Sequence, residues 1–164
     1  MEIFIVAFFA FVIGLILIVL LKKTSPPPPQ ELIQFDDVGG KPAFLTERDA
    51  FKEKCLEFLG KFNLEYQHSI WANDQELEID MRVETPVVGG KYLALCILDP
   101  PNNTVDTIKV NGFIETVKGE EASRGILITT GYFSDEALRS IEDHPVELVN
   151  IVAFVDYLKK FEIY

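Results

Sequence analysis

Four carboxylates and a guanidinium stand on one parity of a short alternating run: Glu76, Glu78, Asp80, Arg82 and Glu84. The residues between them, Leu77, Ile79, Met81 and Val83, are all apolar. This is the period-2 signature of a half-buried strand, hydrocarbon inward and charge outward. The chemistry on offer is that of carboxylates beside a single cation. A Pro/Gly turn over Thr85 to Gly90 leads into Tyr92 to Leu98 (YLALCIL), apolar on both parities as a central strand covered on both faces would be. A charged strand beside a buried one frames an active site in many α/β proteins; a solvated face beside a core strand gives the same pattern. His68 has no partner motif around it and reads as a strand-surface histidine. Cys55, on an expected helix, and Cys96, on the central strand, read as packed thiols rather than a disulfide framework.

The elements that must position these residues follow from periodicity. Thr46 and Asp49 resemble a capping box, and Phe51, Cys55, Phe58 and Phe62 then fall at helical spacing. Leu64 to Ile70 is an expected strand, followed by the two strands above. Asp99 to Asn103 (DPPNN) is a sharp loop. Val105, Ile108, Phe113 and Val117 define a helix ended by Lys118-Gly119. Gly125 to Thr130 is an apolar strand, and Ser134 can cap a helix over Asp135 to Glu142. Pro145 to Asn150 is a further strand, and Val152 to Phe161 a closing helix with Phe154, Val155 and Leu158 inward. The alternating second half implies parallel strands with right-handed crossovers. The expected fold is α/β, a three-layer sandwich around a central mixed sheet.

Residues 3–21 (IFIVAFFAFVIGLILIVLL) contain no charged side chain. As a helix this run would span about 28 Å, close to the hydrocarbon thickness of a bilayer. With Glu2 before it and Lys22–Lys23 after it, the run predicts one retained N-terminal transmembrane helix, the folded part on the cytoplasmic side. The expected organisation is anchor and basic flank over 1–23, a Pro-rich linker and lead-in over 24–43, and a folded domain over 44–164. The formal net charge is −11. Glu2, Lys22 and Lys23 are the only charges before Glu31, so the acid excess belongs to the domain. Nucleic-acid affinity comes largely from cations neutralising phosphates, and this balance argues against it. Anionic headgroups would also repel the domain.

From Phe44 to Leu158 the chain resembles the Mrr-type restriction endonuclease domain of the PD-(D/E)xK nuclease superfamily. The resemblance is strongest over Ala122 to Ala137 (ASRGILITTGYFSDEA) and in His144-Pro145 followed by Val146-Glu147-Leu148-Val149. It implies a restriction-endonuclease-like fold and a divalent-metal site. The family's metal-binding Asp falls on Asp80. Its Gln or Glu falls on Leu95 and its water-supporting Lys on Ile97, while Glu53 is a displaced match to the helix glutamate. Magnesium-type ions need oxygen ligands, so Asp80 beside two branched hydrocarbons implies a vestigial motif and no resident cofactor. The resulting expectation is a membrane-anchored, catalytically inactive domain held in the membrane by residues 3–21. Its partner would be another protein at the cytoplasmic face, with nucleic acid disfavoured. The alternative is a Mg-dependent DNA endonuclease with a relocated site built from Asp80, Asp99 and Lys109.

Overall fold

The computed structural model describes residues 41–84, 89–100 and 102–164. The expected membrane helix over 3–21, its basic flank and the Pro-rich linker lie outside the described residues. Among those described, no helix is long and apolar enough to cross a membrane.

A short 3₁₀ turn (Ala43–Leu45) precedes helix α1 (Arg48–Gly60). Strands β1 (Glu65–Trp71), β2 (Glu76–Glu84) and β3 (Gly89–Ile97) follow, then the two-residue β4 (Thr104–Val105) and helix α2 (Thr107–Gly119). Strands β5 (Arg124–Thr129) and β6 (Tyr132–Phe133), helix α3 (Asp135–Ser140), strand β7 (Val146–Val149) and helix α4 (Ile151–Lys160) complete the chain. The main sheet has the order β1-β2-β3-β5-β7, antiparallel over the first three strands and parallel over the last three. A separate parallel pair joins β4 and β6. The fold is therefore α/β with a mixed central sheet, as the element order predicts.

Side-chain parity divides the core in two. Leu77, Ile79, Met81 and Val83 of β2 join Ala94 and Cys96 of β3 against Phe51, Cys55 and Phe58 of α1 and Phe154, Val155 and Leu158 of α4. On the other face Leu93, Leu95 and Ile97 of β3 and Leu127 of β5 pack with Val110, Phe113, Ile114 and Val117 of α2 and Ala137 of α3. Strand β3 is buried from Leu93 to Ile97, so it meets hydrocarbon on both faces. Cys55 and Cys96 are buried free thiols. Burial, then the Cys96 sulfur, pushes the Cys55 thiol well above its ordinary range.

Four local expectations are corrected. Thr46 does not cap α1: Glu47 is the N-cap, without a side-chain bond, and the Thr46 hydroxyl donates to the Ala43 carbonyl at 3.3 Å. Phe62 lies two residues past the end of α1 and is 45% exposed, and the next residue, Asn63, is in the left-handed region at φ 57°. Val105 belongs to β4, and Ile108 is 81% exposed. Phe113 and Val117 are buried as expected, and Val110 and Ile114, not Val105 and Ile108, complete the inward face of α2 at spacings of three and four. Asp106 caps this helix by accepting from the Lys109 amide at 2.9 Å. Ser134 caps α3, which ends at Ser140, earlier than expected.

Candidate functional site

The parity that buries Leu77 and Ile79 toward α1 sends Glu76, Glu78, Asp80 and Arg82 to the opposite face of the sheet, beside Leu93, Leu95 and Ile97. Antiparallel pairing sets Glu76 opposite Ile97, Glu78 opposite Leu95 and Asp80 opposite Leu93. The carboxylate facing the first motif position is therefore Glu78, not Asp80, which stands one pleat further along. Cross-strand neighbours have Cβ atoms about 5 Å apart, so Glu78 is the natural companion of position 95.

Helix α2 crosses over this face and leaves a groove of about 550 Å³ between itself and the β2–β3 hairpin. Leu93, Leu95 and Phe113 give it an apolar floor; Glu76, Glu78, Asp80 and Glu120 stand around it. Both ends are strapped by lysines. At one end Lys109 Nζ donates to Glu76 Oε1 at 2.6 Å. At the other, Lys91 of β3 lies 3.4 Å from Asp80 Oδ2 and in closer contact with Glu120 just past α2. The Glu120 hydrogen bond is the largest influence raising the Lys91 pKa above its usual value. Glu78, exposed midway between the straps, has no ion-pair partner among the described residues.

The positions singled out in the sequence fall in different places. Leu95 and Ile97 are 7% and 5% exposed, locked into the α2-side core. Asp80 is half-exposed at the Lys91 strap. Asp99 is buried and turned toward β5, accepting from Thr129 Oγ1 at 2.8 Å and from Asn103 Nδ2 at 2.5 Å. The Thr130 hydroxyl accepts from the Asp99 amide at 2.7 Å and donates back to its carbonyl. This network ties Asp99 and Asn103 to Thr129 and Thr130 at the end of β5. Gly131 lies under it, where an added Cβ would come within 2.5 Å of the Asn103 carbonyl oxygen. Asp80, Asp99 and Lys109 thus do not converge. Lys109 meets Glu76, four residues from Asp80 and so about 13 Å away along the strand, and the Asp99 oxygens are taken by Thr129 and Asn103. Glu53 is exposed on α1, which covers the other face of the sheet. His68 is exposed on β1, as expected.

A magnesium-type ion takes oxygen donors. Leu95 and Ile97 supply hydrocarbon, and the nearby Asp80 carboxylate faces a lysine; the motif positions do not fit such an ion. Among the described residues no group of three or more His, Cys, Asp or Glu side chains is placed to hold a metal. The residues that sequence reasoning missed, Lys91, Glu120 and Gly112, are brought together with Glu78 by hairpin register and by the path of α2. Pairing the two strands symmetrically about the Thr85–Gly90 turn would have set Asp80 opposite Leu95; the observed register, with Glu84 opposite Gly89, sets Glu78 there.

The family model Mrr_cat, described as restriction endonuclease, matches residues 47–158. Six solved chains are similar. One is the DNA modification-dependent restriction endonuclease AspBHI, with 17% identity and a TM-score of 0.47 over 82% of this chain. Another is the MspJI restriction endonuclease in complex with a 27-mer oligonucleotide, with 17% identity and a TM-score of 0.49 over 81% of this chain. The chain spans 40% and 35% of those two proteins. No curated protein matches it.

Proposed function

The chain belongs to the Mrr-type restriction endonuclease family, and from that premise we propose that it is a membrane-anchored, catalytically silent member whose domain binds another protein. The observation that carries this reading is the burial of Leu95 and Ile97 against α2, at the positions where the resemblance puts a metal-ligating Gln or Glu and a water-supporting Lys. An unpaired ammonium there would be taken out of water at a large cost. Anchoring rests on the uncharged run 3–21 closed by Lys22–Lys23, and the cytoplasmic side on those two lysines. Binding of protein rather than nucleic acid accords with the net charge of −11.

The test is nicking of supercoiled DNA by the full chain in detergent, with Mg²⁺ and with Mn²⁺. The expected result is no nicking in either. Nicking that disappears on Glu78→Gln would overturn the reading. A second reading, a metal-dependent DNA endonuclease with a relocated site, is favoured by one contact: Lys109 reaches Glu76 in the groove that also holds Glu78. In that case the groove residues Glu76, Glu78 and Lys109 replace the trio of Asp80, Asp99 and Lys109.

A further inference from the structure

The groove between the β2–β3 hairpin and α2 combines features that select one kind of occupant. Its floor is hydrocarbon from Leu93, Leu95 and Phe113, and one lip is Ile108, an isoleucine left 81% exposed. Of the charged residues lining it, Glu76, Glu78, Asp80, Asp106 and Glu120 are acidic and only Lys109 is basic. The lysine straps engage Glu76, Asp80 and Glu120 at the two ends, and Asp106 caps its own helix. That leaves Glu78 as the carboxylate without a partner, directly over the apolar floor. The α2 wall is cut back to Gly112 and Thr116, and a Cβ added at Gly112 would meet nothing within 4 Å. The groove is therefore open at its middle, where the free acid stands.

A cation alone would gain little from the floor, and an apolar side chain alone would gain nothing from Glu78. We infer that the groove docks a protein segment presenting an arginine flanked by apolar side chains, the guanidinium meeting Glu78 and the apolar neighbours lying on Leu93, Leu95 and Phe113 beside Ile108. Arginine is favoured over lysine because its planar fork matches a carboxylate at two points and is weakly hydrated. The electrostatic and apolar halves reinforce each other in one site of about 550 Å³, a size suited to a few side chains. This inference rests on the protein-binding reading above and specifies its partner chemistry.

The probe is a short fluorescent peptide with Leu-Arg-Leu in a Gly/Ser background, titrated against the full chain in detergent by anisotropy. Controls carry Leu-Glu-Leu and Gly-Arg-Gly in the same background, and a duplex oligonucleotide is titrated in parallel. Only the Leu-Arg-Leu peptide should bind saturably. Glu78→Gln should weaken it about tenfold, the worth of one charge-assisted hydrogen bond. Gly112→Leu should abolish binding by filling the groove, and Ile108→Ala should weaken it without touching the core. Glu115→Gln, an exposed acid on α2 outside the groove, should leave binding unchanged. No saturable binding, equal binding of Gly-Arg-Gly, indifference to Glu78→Gln and Ile108→Ala, or stronger binding of the duplex would each overturn the assignment. Absence of peptide binding without DNA nicking removes this inference and leaves the silent-nuclease reading standing, whereas nicking removes that reading itself.

Discussion

Leu95 and Ile97 occupy a face where two side-chain types compete for very different reasons. As hydrocarbon they contribute to the core with Phe113 and Val110. Leu95→Ala and Ile97→Ala are each expected to cost about 2–5 kcal/mol in denaturant unfolding, the range for truncating buried aliphatic side chains. Asp80→Ala should cost under about 1 kcal/mol, because its lysine contact is half-exposed and such pairs are weak. Mild effects at 95 and 97 together with a large one at Asp80 would place the critical chemistry of this face at the carboxylate. Asp99 has a different role. It is buried and satisfies Thr129 and Asn103, so Asp99→Ala should leave donors unpaired and cost about 1–3 kcal/mol. Thermal unfolding at neutral pH would check it.

At the scale of elements, much of the fold was legible and the site was not. Strict alternation marked β2, and the doubly apolar run marked β3. Helix α4 showed its inward Phe154, Val155 and Leu158 through spacing alone. Helix α2 was placed correctly, and Phe113 and Val117 of its expected stripe are buried, but the first half of that stripe was misphased. Val105 and Ile108 suggested one phase, while the Asp106 cap starts the helix later and leaves the buried stripe on Val110, Phe113, Ile114 and Val117. The groove escaped because its two walls come from segments about thirty residues apart, and periodicity carries no information on which faces will meet. The Lys91 strap is a long-range feature of the same kind. Held to Glu120 and Asp80, Lys91 has a raised pKa. The strap therefore adds stability throughout the neutral range and loses it only in the alkaline arm, as pH rises through the raised folded value. Lys91→Met should remove that alkaline slope and speed hydrogen exchange at the end of α2. An unchanged alkaline unfolding profile would show that the strap adds nothing.

At the scale of the whole molecule, the buried members of both core clusters among the described residues lie within 44–158, with Phe161 and Ile163 packed against one of them. A chain begun at Gln30 should accordingly fold on its own, with an α/β circular-dichroism spectrum and a cooperative transition. A truncated chain without one would show that the preceding residues complete the core. The two thiols follow from the same packing. Cys55 and Cys96 lie buried between α1 and β3, and the raised Cys55 pKa keeps its reactive thiolate scarce. They should stay unlabelled by thiol reagents until the chain unfolds, which leaves a cysteine introduced near Gln30 as a clean reporter for testing the proposed membrane anchor and its orientation.

The hydrocarbon on β3 also bears on which substitutions this face can accept. Placing the polar pair of the family motif here requires a change at both 95 and 97. Leu95→Gln alone puts an amide into the α2-side core, and Ile97→Lys alone puts an ammonium there, each without a polar partner at the other position. Folded proteins stand only about 5–15 kcal/mol above unfolding, so single steps of several kcal/mol are removed by selection before the second change arises. The packing of Leu95 and Ile97 against Val110 and Phe113 thus acts as a ratchet: a polar pair at these two positions is reached only through singly substituted chains that are each destabilised.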